Sequence, residues 1–247
     1  MKKRKITQAC KCFFETTKHI DNFFAHVIFT TKRIDEMRLH AVQALAQIHE
    51  KELKPEDMQE VAMDCLNQYV GLLLEMWLCR IVECYQNYLS SILKDVFYCC
   101  PDVLKSGEMI KLDEILRYSR MDDFIRELSE RKVSSLSYSS FDDLFNFFDK
   151  KLGIKITDEA NKNLIREAIE TRNISIHNNC IINRRYITKL RESEELIGHK
   201  KKIKKEFLAT IIDITHRNVL DIDSKLIKKF KIKNCENIEL LDEEIVN

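Results

Sequence analysis

Helix breakers are nearly missing from this chain. Its 247 residues hold four glycines and two prolines. Sheet proteins use those residues at their turns, so a chain this poor in them reads as all-α. Hydrophobic spacing agrees. Ile6, Cys10, Phe13, Thr17, Ile20, Phe24, Val27, Thr31 and Ile34 step by four and three in alternation, a heptad seam. A looser version continues through Met37, Ala41, Leu45 and Ile48. Unbroken, such a helix is ~60–70 Å long at ~1.5 Å per residue, so a bend, a break or a packing partner is expected. The seam suits either the core face of a bundle helix or an intermolecular coiled coil.

Lys54-Pro55-Glu56-Asp57 punctuates the chain, with Pro and acids suited to the first turn of a new helix. That spacing divides the chain into an N-terminal helical arm (1–54) and a helical bundle (55–247). The second helix is expected to run to about Cys99 and to stop before Pro101. From Val70 to Val82 it is apolar almost all round, which places it at the centre of a bundle or in an interface. A shorter helix is expected over Leu112–Leu128, then an irregular Ser-rich stretch over Arg131–Ser140. Ser140 can cap a helix carrying Phe141, Phe145, Phe147 and Phe148, which Gly153 ends. Thr157 or Asp158 caps the next, with Leu164, Ile165, Ala168, Ile169 and Ile176 on its apolar face and Asn178-Asn179 as its stop. A polar connection with a short helix near Tyr186–Leu190 leads to a last amphipathic helix over Lys202–Phe230, and the tail from Lys231 is expected to be ragged.

Net charge is +1, so nucleic-acid binding has to rely on a local patch. No apolar run is long enough for a membrane span, since Glu75 and Arg80 interrupt the most apolar one. The basic start, Lys2 to Lys5, lacks the apolar stretch of a secretion signal, so a soluble cytoplasmic protein with no membrane contact is expected. Nine cysteines fit reduced, buried small hydrophobes, with Cys65, Cys79, Cys84 and Cys180 inside helical patterns. Cys10 and Cys12 with His19 lack a second ligand pair at finger spacing, so neither a metal nor a cofactor is expected.

The chemistry concentrates in Glu167–Tyr186, EAIETRNISIHNNCIINRRY. Asn173 and His177 are four apart and share a helix face, with Glu170 one turn earlier. Arg172 lies five residues before His177, so the two point to different sides of a straight helix. A joint site needs Arg172 to reach around, or a second copy to complete it. These residues, in this order of elements, resemble the HEPN superfamily of all-helical nucleic-acid-linked proteins. Its mark is Arg, four to six residues, then His, with a polar residue after the Arg; here that is Arg172-Asn173-Ile174-Ser175-Ile176-His177. Glu170 before the Arg, His177-Asn178 leading into Ile181-Ile182, and the later Tyr186 extend the match. The Ser-rich segment and Phe-rich helix before Gly153 are similar to HEPN proteins of bacterial defence and toxin systems. Arg33 and His40 also meet the loose spacing, but without the Asn and inside the heptad helix, as a chance match does.

The resemblance implies a HEPN-type helical bundle that cleaves RNA without a metal, by attack of the ribose 2′-OH on the adjacent phosphate. His177 would be the acid/base, since an imidazole titrates near pH ~6.5. Arg172 would hold phosphate oxygens, Asn173 would orient the phosphate or His177, and Glu170 would orient Arg172 or tune its partner. One His cannot easily be acid and base in one in-line step, so a homodimer with a shared cleft is expected. Arg184, Arg185, Lys189 and Arg191 could track the RNA backbone, with Tyr186 stacking on a base. Lys200, Lys201, Lys202, Lys204 and Lys205 form a second basic cluster, or a solvated helix start. An antitoxin or defence-system partner protein is a further expectation. HEPN toxins paired with nucleotidyltransferase antitoxins often carry, two residues after the His, a Tyr that the partner modifies. Asn179 stands there, so control by that route is not expected. Two other readings stay open: a non-catalytic HEPN module binding RNA, nucleotide or a partner protein, and a helical scaffold that uses the heptad arm.

Overall fold

In the computed structural model, which describes residues 3–107, 109–232 and 235–239, the heptad seam becomes one uninterrupted helix, α1 (Gln8–Ile48). The seam does not begin as helix, however. Lys3–Thr7 forms a strand, β1, antiparallel to β2 (Cys235–Glu239), so that part of the tail is ordered against the N-terminus rather than ragged. The rest of the tail lies outside the described residues. Thr7 caps α1, accepting from Cys10 N at 3.2 Å, and its own N–H donates to buried Asp223 at 3.0 Å across 216 residues.

Burial fades along the seam. Ile6, Cys10, Phe13, Thr17 and Phe24 are buried, Val27 and Thr31 half-buried, and Ile34, Ala41, Leu45 and Ile48 exposed, the last at 73%. The chain turns back through a 3-10 turn at Pro55–Met58 into α2 (Val61–Gln68) and then α3 (Val70–Cys99). The single long helix expected here is broken at Tyr69, whose φ and ψ of −106° and 6° leave the α region. α2 packs against α1. Asp35 of α1, 2% exposed, accepts from the N–H groups of Ala62 and Met63 at 2.9 and 2.7 Å. It supplies from another helix the cap that α2 lacks in its own sequence. A boundary at residue 54 would cut through a shared core, because Ile6, Ala9, Cys10 and Phe13 are packed with α3 and with α9 (Lys205–Phe230). Only the far half of α1 extends past that core.

α3 is the central helix. Eleven of its residues are buried, from Leu78 to Phe97. Among the fully buried side chains are Tyr85, Tyr88, Phe97 and Phe148, each contributing roughly 1.5–3 kcal/mol of burial. After a short α4 (Leu112–Ile115), α5 runs over Met121–Tyr138 and takes in most of the Ser-rich stretch expected to be irregular. Serine is only mildly unfavourable in a helix, and packing on α3 decides the matter. Ser137 and Ser90 of α3 meet at 3.0 Å. α6 (Phe141–Lys150) starts with the expected cap, Asp143 N to Ser140 Oγ at 3.2 Å, and Gly153 follows at φ +57°. The remaining helices are α7 (Glu159–Asn178) and α8 (Arg184–Leu190). The chain is thus predominantly helical, with the two-stranded ribbon as its one described sheet. No described helix is long and apolar enough to cross a membrane.

Candidate functional site

α7 carries the Arg–His motif, and its ends follow from local sequence. Asp158 caps its start, accepting from Asn161 N at 2.8 Å. Asn179 ends it in the left-handed conformation (φ 49°), and Cys180 follows at φ 61° while its N–H bonds back to Ile174 O at 3.0 Å. Two successive non-glycine residues at positive φ are costly, and they begin two residues after His177. The Asn178 side chain holds this exit by donating to Ile181 O at 2.7 Å.

Ile165, Ala168 and Ile169 enter the main core as expected. Ile176 does not. It is 52% exposed, and Ile174 takes the buried place, in a small second core with Ile182, Tyr186 and Ile187. Periodicity assigned the wrong isoleucine because that second core is built by residues beyond the helix's end.

Four of the expected site residues form one network. Arg172 Nη1 donates to Asn173 Oδ1 at 3.2 Å, and Asn173 Nδ2 donates to Glu170 Oε2 at 3.4 Å. Arg185 Nε stands 4.0 Å from the same carboxylate oxygen, which is largely buried. Glu170 therefore reaches Arg172 through Asn173. Arg172 Nε is buried without a partner, which leaves it a donor in hand. Its charge also acts on Cys79 of α3. Burial pushes the Cys79 thiol up, and the Ser175 hydroxyl and Arg172 oppose that shift. Burial likewise raises the Cys180 thiol, and Ser175 again opposes it. Cys79 carried no sequence signal for this role, since its link to Arg172 and Ser175 crosses from α3 to α7.

His177 lies outside this network, exposed in the last turn of α7. Five residues of helix separate it from Arg172, and among the described residues no hydrogen bond joins the two. Arg33 and His40, the chance match, are both exposed on α1, with Arg33 paired to Glu36 at 2.8 Å.

Arg184, Arg185, Lys189 and Arg191 are exposed on and after α8. Tyr186 is not. At 1% exposure its ring is packed inside, its hydroxyl 3.4 Å from Thr171 Oγ1, and stacking on a base is closed to it. Lys201 covers that ring at 5.8 Å and bonds Glu167 at 2.6 Å. Lys200 pairs with Glu75 of α3 at 3.5 Å. Lys201 is thus a structural tie, whereas Lys200 keeps more than half of its side chain in solvent. A basic cluster the sequence did not suggest lies at the start of α6. Arg166 and Lys162 reach Asp142 at 2.6 and 3.7 Å. Burial alone would raise the Asp142 carboxyl, but the Arg166 bond and the charges of Arg166, Lys162 and Lys189 bring it below the ordinary value.

Among the described residues no group of three or more His, Cys, Asp or Glu is placed to hold a metal. The eight described cysteines are free thiols. Cys84 and Cys180 are buried as expected, but Cys65 is exposed. The chain has no significant match to a protein-family model, a curated protein or a solved structure.

Proposed function

We propose that the chain is a HEPN-type endoribonuclease of the cytoplasm, working in a bacterial defence or toxin system. It would cut RNA without a metal, at a site shared by two copies. The observation that carries this reading is the Arg172 guanidinium held by Asn173, itself held by Glu170, on the same helix as an exposed His177. In the reaction the ribose 2′-oxygen attacks the adjacent phosphorus and gives up its proton to a base. The 5′-oxygen leaves and takes a proton from an acid, and a 2′,3′-cyclic phosphate remains. Imidazole suits either proton transfer, and Arg172 would hold the non-bridging oxygens as charge builds on them. DNA lacks the attacking hydroxyl and would be spared.

One subunit offers one motif imidazole, on a different side of α7 from Arg172. A second copy would supply the missing group. The surface suited to receive it adjoins Arg172. Leu72, Met76 and Cys79 follow one face of α3, and Arg172 and Ile176 one face of α7. Leu72, Met76 and Ile176 are exposed, while Cys79 lies within reach of Ser175 and Arg172. Arg184, Arg185, Lys189 and Arg191 would carry the RNA backbone towards this cleft.

The second reading, a non-catalytic module that binds RNA, nucleotide or a partner protein, draws on the separation of Arg172 from His177 within one chain. RNA cleavage in the presence of EDTA distinguishes the two. The wild-type chain should cut single-stranded RNA, and Arg172→Ala and His177→Ala should each lose at least about a hundredfold of that rate. A wild type that cuts nothing, or variants that cut as well as it does, would end the nuclease reading.

A further inference from the structure

At the other end of α7, roughly 29 Å from His177 at 1.5 Å per residue, a cleft of about 360 Å³ opens between α9 and the segment leading into α7. Its volume falls within the range of small-ligand sites, ~300–1,000 Å³. Ile156 and Ile214, both buried, form its apolar floor. Asn218 also lines it, 8% exposed, with Nδ2 buried and without a hydrogen-bond partner. The Tyr85 hydroxyl, on which that amide acts, is left unbonded too.

A second hollow, of about 400 Å³, continues from the first and shares Lys155 and Lys225 with it. Lys228 and Lys229 complete its charged lining, which contains no carboxylate. Two of these lysines are held in place by the backbone. Lys229 Nζ donates to Leu152 O at 2.6 Å, and Lys225 Nζ bonds Asp221 at 2.5 Å and lies 3.4 Å from Lys155 O. Gly153 makes the first tie possible. It sits at φ +57°, and a Cβ there would meet Lys229 Nζ at 2.8 Å. Two carboxylates belong to the first cleft, and both are engaged: Asp221 with Lys225, and Asp158 with the start of α7. Because Asp158 already fills that helix N-terminus, the attraction for an anion lies in the lysines.

We propose that this double cleft binds a small anion carrying two or more linked phosphates, with the phosphates along Lys155, Lys228 and Lys229 and the remainder of the ligand over Asn218. Lysines converging on one hollow repel one another until an anion enters, and a linked phosphate chain matches their row better than a single charge. Nucleotides and inorganic oligophosphates share this chemistry.

The site does not depend on the Arg–His motif, and the test keeps the two apart. Calorimetric titration of the full chain would use ADP, inorganic tripolyphosphate, orthophosphate and adenosine. ADP, tripolyphosphate or both should bind, and orthophosphate and adenosine at least about tenfold more weakly. Binding of ADP alone assigns the site to a nucleotide, and of tripolyphosphate alone to an inorganic chain. The exposed pair Lys155→Gln with Lys228→Gln should weaken binding at least about tenfold and leave the circular dichroism spectrum unchanged. Arg172→Ala should bind as the wild type does. The proposal is overturned if neither probe binds at about 1 mM, if the lysine pair changes nothing, or if Arg172→Ala abolishes binding. The last result would place the anion at the motif.

Discussion

Arg172 and Asn173, adjacent in the chain, are also joined through their side chains, Nη1 to Oδ1 at 3.2 Å. The same amide continues to Glu170 at 3.4 Å. Asn173 therefore holds the guanidinium through one of its terminal nitrogens. Asn173→Ala should lower kcat for RNA cleavage by about tenfold to a hundredfold, with KM changed much less. Asn173→Asp keeps the acceptor but sets a charge beside Glu170, and should recover only part of the rate. Equal activity in all three proteins would remove Asn173 from the site.

Ile176 tests the two-fold assembly. Its side chain is exposed in the monomer, so Ile176→Glu should fold and melt like the wild type. A charge buried in an interface costs several kcal/mol, enough to dissociate a dimer of ordinary affinity. Sedimentation should then report a monomer, and RNA cleavage should fall with dimer content. A variant that stays dimeric and active would show that the second copy docks elsewhere. The exposed far end of the heptad seam, Leu45 and Ile48, is the surface to substitute next.

Arg184 and Tyr186 lie two residues apart and should behave oppositely. Arg184 is exposed, and if it contacts one phosphate its loss should reduce the salt dependence of RNA affinity by ~0.7 in the log–log slope. Tyr186 is enclosed, so Tyr186→Phe should leave RNA affinity unchanged and cost about 1 kcal/mol or less of stability, for the weak bond to Thr171. A large affinity loss in Tyr186→Phe would contradict its burial.

His216 on α9 predicts how the fold responds to acid. Its ring packs edge-on against Phe13 and tilted against Phe14, with Nε2 buried and unbonded. Burial pulls its pKa down to about 4, against a small opposing pull from Asp213. In the unfolded chain a histidine titrates near ~6.5. Between those values the unfolded chain holds a proton that the folded chain refuses, so stability falls as pH drops from about 6.5 to about 4. The full effect is about 3 kcal/mol, and it is absent above the upper value. His216→Leu should flatten this part of the acid limb in urea unfolding at pH 7 and pH 4.5. An unchanged slope would mean that carboxylates alone set the acid sensitivity.

Sequence alone determined the helices and most of their ends. Ser140, Asp158 and Asn179 cap or stop helices where they were expected to, because capping involves groups only a few residues apart. The heptad seam likewise determined α1, and the Arg–His spacing placed its residues on different sides of one helix. Tertiary structure decided which of those side chains are available. Tyr186 is enclosed by Ile174 and Lys201, Ile176 is left exposed while Ile174 is buried, and Lys201 is taken up by Glu167. The ribbon that pairs Lys3–Thr7 with Cys235–Glu239 is of the same kind. Each of these outcomes depends on a partner far along the chain or beyond the helix's own end. Local periodicity and capping carry no record of such partners, because burial is decided by what packs against a side chain.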